Sequence, residues 1–95
     1  MDEETATTLA LTALVWILEQ EDRAQRLLAL TGLDAQSLRD SAGDPATHLA
    51  ILDYLAGYEP DLVACAEALA LAPEQLIGAQ HCLAGGGLSG GEDWG

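Results

Sequence analysis

His48, Asp53, Cys65, His81 and Cys82 are the side chains in this 95-residue chain whose chemistry suits a metal ion or a catalytic centre. Their spacing works against both. His81 and Cys82 are adjacent, so on a helix their side chains diverge by about 100° and do not converge on one ion. His48 and Asp53 are not at a spacing that shares a helix face. Cys65 and Cys82 stand alone and far apart, without the paired spacing of a zinc site or a redox motif, and read as reduced, buried thiols. The chain has no HExxH, no CxxC, no glycine-rich loop between a strand and a helix, and no nucleophile elbow. The expectation is a protein without catalysis, cofactor or metal.

A second kind of chemistry is suggested by "LTGLDAQSLRDSAGDP", residues 30–45, which has the rhythm of a helix-turn-helix reading head. A similar rhythm returns in "CAEALALAPEQLIGAQ". The first has Gly32 at its turn but Leu28 where crossing helices favour a small residue. The second has Ala66 at the crossing but Ala70 at the turn. The deciding feature is charge. The first would-be recognition helix offers Asp34, Gln36, Arg39 and Asp40, and the second Glu74, Gln75 and His81. Nucleic-acid affinity comes mainly from cations that neutralise phosphates. Here 16 acids face 3 arginines, and the net charge is −13. The excess is spread along the chain, with −4 over residues 1–31, −3 over 32–58 and −6 over 59–95. No segment is basic, and the acidity reads as solubility and self-repulsion.

The elements that hold these residues are helical. Ala and Leu dominate, no Phe is present, and no stretch alternates as a half-buried strand would. The expected architecture is all-α, a compact bundle of five or six helices of 7–14 residues with connections of two to four residues. Thr5, Thr7 or Thr8 caps the first helix. Its stripe Leu11, Leu14, Val15 and Leu18 runs beside a second, Leu9, Ala13, Trp16 and Ile17, as in a central helix or one half of a dimer seam. The second helix turns Ala24, Leu27, Leu28 and Leu30 inward and stops at Gly32. Asp34 starts a short helix that runs through Ser41 and stops at Gly43. Asp44 and Pro45 start a fourth that buries Leu49, Leu52 and Leu55 and ends at Gly57. Pro60 opens a fifth with Leu62, Val63, Ala66 and Leu69 inward. Pro73 opens a sixth with Leu76, Ile77 and either Ala79 or Cys82 inward.

Residues 1–85 thus form a single helical domain, followed by a tail, 86–95. The closing "GGGLSGGEDWG" has 6 glycines in 11 residues and is expected to be disordered. "MDEETATTLAL" lacks the basic region of a signal peptide, and the longest apolar run, "ALVWIL", is far shorter than a membrane span. Cytoplasm is the expected compartment. Arg26 is expected to pair with Asp22 one turn before it, and Arg39 with Asp40 or Asp44.

Trp16, then "LALTGLD", "LRDSAGDP", "ILDYLAGYE" and "LAPEQL", resembles domain-of-unknown-function family 3572, small alphaproteobacterial proteins, over roughly residues 8–84. In that family an apolar aromatic often follows the Gly-Asp-Pro turn, where this chain has Thr47 and His48. The resemblance implies a compact helical, cytoplasmic bacterial protein and carries no activity or site. The sequence therefore reads as a module acting through protein contacts, by self-association or as an adaptor, with no nucleic acid and no membrane. The candidate partner-binding residues are Trp16, Arg39, Tyr54, Tyr58 and Trp94. The alternative is a helix-turn-helix-like transcription accessory with weak or partner-dependent DNA binding.

Overall fold

The structure, a computed structural model, describes residues 1–86. Each helix starts and stops where local chemistry provides for its unpaired backbone groups. Helix α1 spans Glu3–Leu18, and its N-cap is Asp2, whose Oδ1 accepts from the Thr5 amide at 2.8 Å. The expected threonine cap is thus displaced. Thr8 and Thr12 instead lie inside the helix, and their hydroxyls donate to carbonyls one turn back. Helix α2, Glu21–Thr31, ends at Gly32 in the left-handed conformation, φ 74°, with the Gly32 amide on the Leu28 carbonyl at 2.8 Å. Asp34 caps α3, Ala35–Asp40, through the Ser37 amide at 2.8 Å. Asp44 caps α4, Pro45–Ala56, through the Ala46 amide at 3.1 Å.

Helix α5, Glu59–Ala68, begins one residue before Pro60. Helix α6, Pro73–Gly86, begins with half of a capping box, in which Gln75 Oε1 reaches back to the Ala72 amide at 2.8 Å. The expected six-helix, all-α architecture and its connections of two to four residues are therefore present among the described residues. Two lengths fall outside the expected range, with 16 residues in α1 and 6 in α3. Apart from Gly86 at the end of α6, the expected tail lies outside the described residues, and Trp94 with it.

Helices α1, α4 and α6 pack on one another most extensively, and α2 and α5 close the sides. Helix α1 is the central element, and it turns inward the second expected stripe, with Ala13, Trp16 and Ile17 buried, while of the first stripe only Leu14 is buried. Ala6, Ala10, Ala13 and Ile17 are fully buried, with Leu14 and Trp16 nearly so. Leu11, Val15 and Leu18 are 36%, 62% and 46% exposed. Small side chains at positions 6, 10 and 13 let neighbouring backbones approach closely. A face of alanines therefore outcompetes a face of larger residues for the centre. The same correction applies elsewhere. Leu30 is 63% and Val63 41% exposed, while α4 buries Ile51 ahead of the half-buried Leu49. Thr47 and His48 are buried too, so the first turn of α4 is packed by polar groups where the family resemblance places an aromatic.

Candidate functional site

Among the residues with the most reactive chemistry, His48 and Cys82 are engaged with main-chain carbonyls. His48 is 5% exposed, and its Nε2 donates to the Ala42 carbonyl at 2.6 Å. One position earlier, Thr47 Oγ1 donates to Ser41 Oγ at 3.0 Å. Together they close the α3–α4 corner. Asp53 is exposed and accepts from Gln80 Nε2 at 2.8 Å, tying α4 to α6. Cys65 is fully buried, and burial pushes its thiol up to about 11, so it is protonated at neutral pH. Cys82 is half-buried, and its Sγ donates to the Met1 carbonyl at 3.3 Å. His81 is exposed. Among the described residues no group of three or more His, Cys, Asp and Glu side chains is arranged to hold a metal ion.

A polar cluster that local spacing does not announce joins α2, α4 and α5. The buried Asp61 carboxylate accepts from the Tyr54 hydroxyl and, on the same Oδ2, from Arg26 Nη2 at 3.0 Å. Arg26 Nε also faces the Tyr54 oxygen at 3.4 Å, and the guanidinium lies 5.0 Å from the Tyr58 ring centroid. The expected Arg26–Asp22 pair is thus replaced by a partner 35 residues away. Hydrogen bonds to Tyr54 and then Asp61 raise the Arg26 pKa above its ordinary value. Burial, followed by the Asp61 hydrogen bond, raises that of Tyr54. Both groups therefore keep their protons through the neutral range. Nothing in the spacing of Arg26, Tyr54 and Asp61 marks them. Asp61, one residue after Pro60, looks like an ordinary acid near a helix start.

The partner-binding candidates are distributed over separate surfaces. Trp16 is only 8% exposed, beneath the guanidinium of Arg23, and its edge lines a groove between α1 and α5 with Leu11, Val15 and Leu69. Tyr54 is 4% exposed, while Tyr58, 40% exposed, stands open to solvent. Both line a concavity of about 450 Å³ with Arg26, Leu30 and Gly57. That concavity shares Leu30 and Asp53 with a second one of about 560 Å³, which extends past Ala50 and Ala46 to Ser41. The two form a channel along α2 and α4. Arg39 is exposed, with its Nη1 3.5 Å from Gln36 Oε1, and among the described residues it makes no ion pair with Asp40 or Asp44. It borders neither the channel nor the α1–α5 groove.

The α5–α6 corner is the second helix-turn-helix candidate. The two helix axes turn by 108°, and the connection contains Ala70 in the left-handed conformation, φ 58°. That is the shape of such a corner. The face it offers is acidic, because α6 carries Glu74 in its first turn and no Lys or Arg anywhere. No single helix among the described residues is long and apolar enough to cross a membrane, and α5 and α6 reach that length and apolarity only as a bent pair.

No curated protein and no solved structure matches the chain. The profile of a family described as "Protein of unknown function (DUF3572)" matches residues 3–86, and the chain belongs to that family.

Proposed function

We propose that this chain works as a protein-interaction module, without chemistry of its own, in the cytoplasmic bacterial setting that the family resemblance implies. The observation that carries the reading is the stripe Leu11, Val15 and Leu18. It occupies positions i, i+4 and i+7 on the open side of α1, beside the groove edged by Trp16 and Leu69. Contiguous exposed apolar surface on a small domain marks a contact site. The polar groups point the same way, since His48, Tyr54 and Asp61 are hydrogen-bonded to other groups of the protein.

Site-specific photo-crosslinking in the native host tests the reading. A crosslinker at Val15 or Leu30 should give discrete adducts, of the chain with itself or with another protein. One at the exposed Gln25 serves as control. Val15 and Leu30 adducts no stronger than those at Gln25 would sink the proposal.

A transcription-accessory role is the second reading, favoured by the 108° corner between α5 and α6. The absence of Lys and Arg from α6 opposes it, because acidic side chains facing phosphates repel them. A gel shift with genomic fragments at low salt separates the two readings.

A further inference from the structure

We propose that the channel between α2 and α4 is the docking site for a basic amphipathic helix of another protein, an inference that rests on the interaction reading above. One wall is an α4 face of small side chains. Ala46, Ala50, Asp53 and Gly57 fall at i, i+4, i+7 and i+11, and all four line the channel. The other wall is α2, with Ala29 and the largely exposed Leu30. From Ala46 to Gly57 the face runs for about 16 Å, the length of roughly three helical turns. Small residues along it let an incoming helix axis approach to about 8–10 Å. Leu30 in the middle and Tyr58 at the end supply apolar anchors that an i, i+4, i+7 stripe would cover.

Charge selects among occupants. Asp44 and Asp53 lie on the channel wall, and the positive charge at its end, Arg26, is already met by Asp61. A second copy of the chain would bring another −13. The chain's own C-terminal segment would bring Glu92 and Asp93. A helix with an apolar edge flanked by Lys or Arg places cations over Asp44 and Asp53, and so complements both the shape and the sign of the channel.

The test uses the full-length, isotope-labelled protein and two capped 14-residue peptides of Leu and Ala in the same positions. One carries Lys and the other Glu at the remaining positions. The Lys peptide should shift the amides of Ala29, Leu30, Ala50, Asp53 and Gly57 and bind, while the Glu peptide should not. Leu30→Ser, a neutral change at an exposed position, should weaken binding by ~10-fold. Asp53→Asn, which keeps the Gln80 acceptor, should weaken it by about 2- to 5-fold at low salt. Circular dichroism verifies that both variants fold. Equal binding of the two peptides, no binding of the Lys peptide, or Lys-peptide binding indifferent to Leu30→Ser would each overturn the proposal. Shifts centred on Leu11 and Val15, with crosslinks at Val15 but not Leu30, would remove the channel and leave the interaction reading standing.

Discussion

The guanidinium of Arg23 sits over the ring of Trp16, 3.6 Å from its centroid, and Arg23 Nη2 donates to the main-chain carbonyl of that same Trp16 at 2.6 Å. Helix α1 has no basic residue in its last turn, and its final carbonyls need partners. An arginine from the first turn of α2 supplies the charge that the negative end of α1 favours. The same side chain roofs the one large aromatic in the core of α1. It leaves Arg23 Nε buried without a partner, so the contact is a compromise between stacking and hydrogen bonding.

Arg23→Ala should therefore uncover Trp16 and weaken the α1–α2 corner, at a cost of about 1–2 kcal/mol from the lost cation–π contact and hydrogen bond. Trp16 emission, read in a Trp94→Phe background, should shift to the red as water reaches the indole. Arg23→Met keeps carbon over the ring and should restore most of the blue emission while recovering less of the stability. Emission and urea midpoint both unchanged in Arg23→Ala would contradict this account.

Tyr54, Arg26 and Asp61 make a different prediction, because two donors meet on one oxygen of a buried carboxylate. Tyr54→Phe removes one donor and strands part of the Asp61 charge, which costs about 1–3 kcal/mol. Tyr54→Phe combined with Asp61→Leu removes the stranded acceptor as well, so the double variant should lose less than the sum of the singles. Urea unfolding of the four proteins measures this. Strict additivity would show that the cluster is not a coupled unit.

Alkaline pH should destabilise the fold through Cys65. The folded thiol keeps its proton to about 11, against an ordinary value of 9.0. Unfolding therefore releases a proton between those limits, and stability falls as pH rises through that window while remaining complete below about 9. Two units correspond to about 2–3 kcal/mol by pH 11. Tyr54, with its pKa raised by burial, adds a loss in the same direction at the upper end. Cys65→Ala should flatten the decline between pH 9 and 10. A decline equally steep in that variant would assign the proton elsewhere.

What was legible in the sequence was whatever is written locally. Gly32, Asp34, Asp44 and Pro45 fix helix ends through bonds spanning two to four residues, and the structure places each of them in that role. For α1 both apolar stripes were legible, including the buried Ala13, Trp16 and Ile17, but which of the two turns inward was not. That choice depends on how closely α4 and α6 approach, and Ala6, Ala10 and Ala13 win by being small, a property that counting large apolar residues misses. The Arg26–Asp61 pair was hidden for a related reason. Its partners come from α2 and α5, whereas the local reading favoured Asp22, one turn away on the same helix. The channel depends on the same long-range arrangement, since Leu30 belongs to a regular apolar pattern and becomes a surface residue only once α2 is set against α4.

Gly32 and Ala70 end their helices in the same left-handed region, one with the residue suited to it and one without. At the end of α5 the Leu71 amide reaches the Ala66 carbonyl at 2.7 Å and the Ala70 amide the Glu67 carbonyl at 3.2 Å, a Schellman arrangement that forces Ala70 to φ 58°. A Cβ in that conformation costs about 1–2 kcal/mol, and the extra freedom that glycine gives the unfolded chain returns about 0.4–1 kcal/mol of that. Ala70→Gly should thus stabilise the protein by about 0.5–1 kcal/mol. Gly32→Ala should destabilise it by about 1 kcal/mol through conformation alone, because a Cβ there meets nothing within 4 Å. Thermal or urea unfolding of the pair decides the matter. If Ala70→Gly lowers stability, the α5–α6 corner does not hold the left-handed turn, and the 108° angle between those helices loses the local feature that sets it.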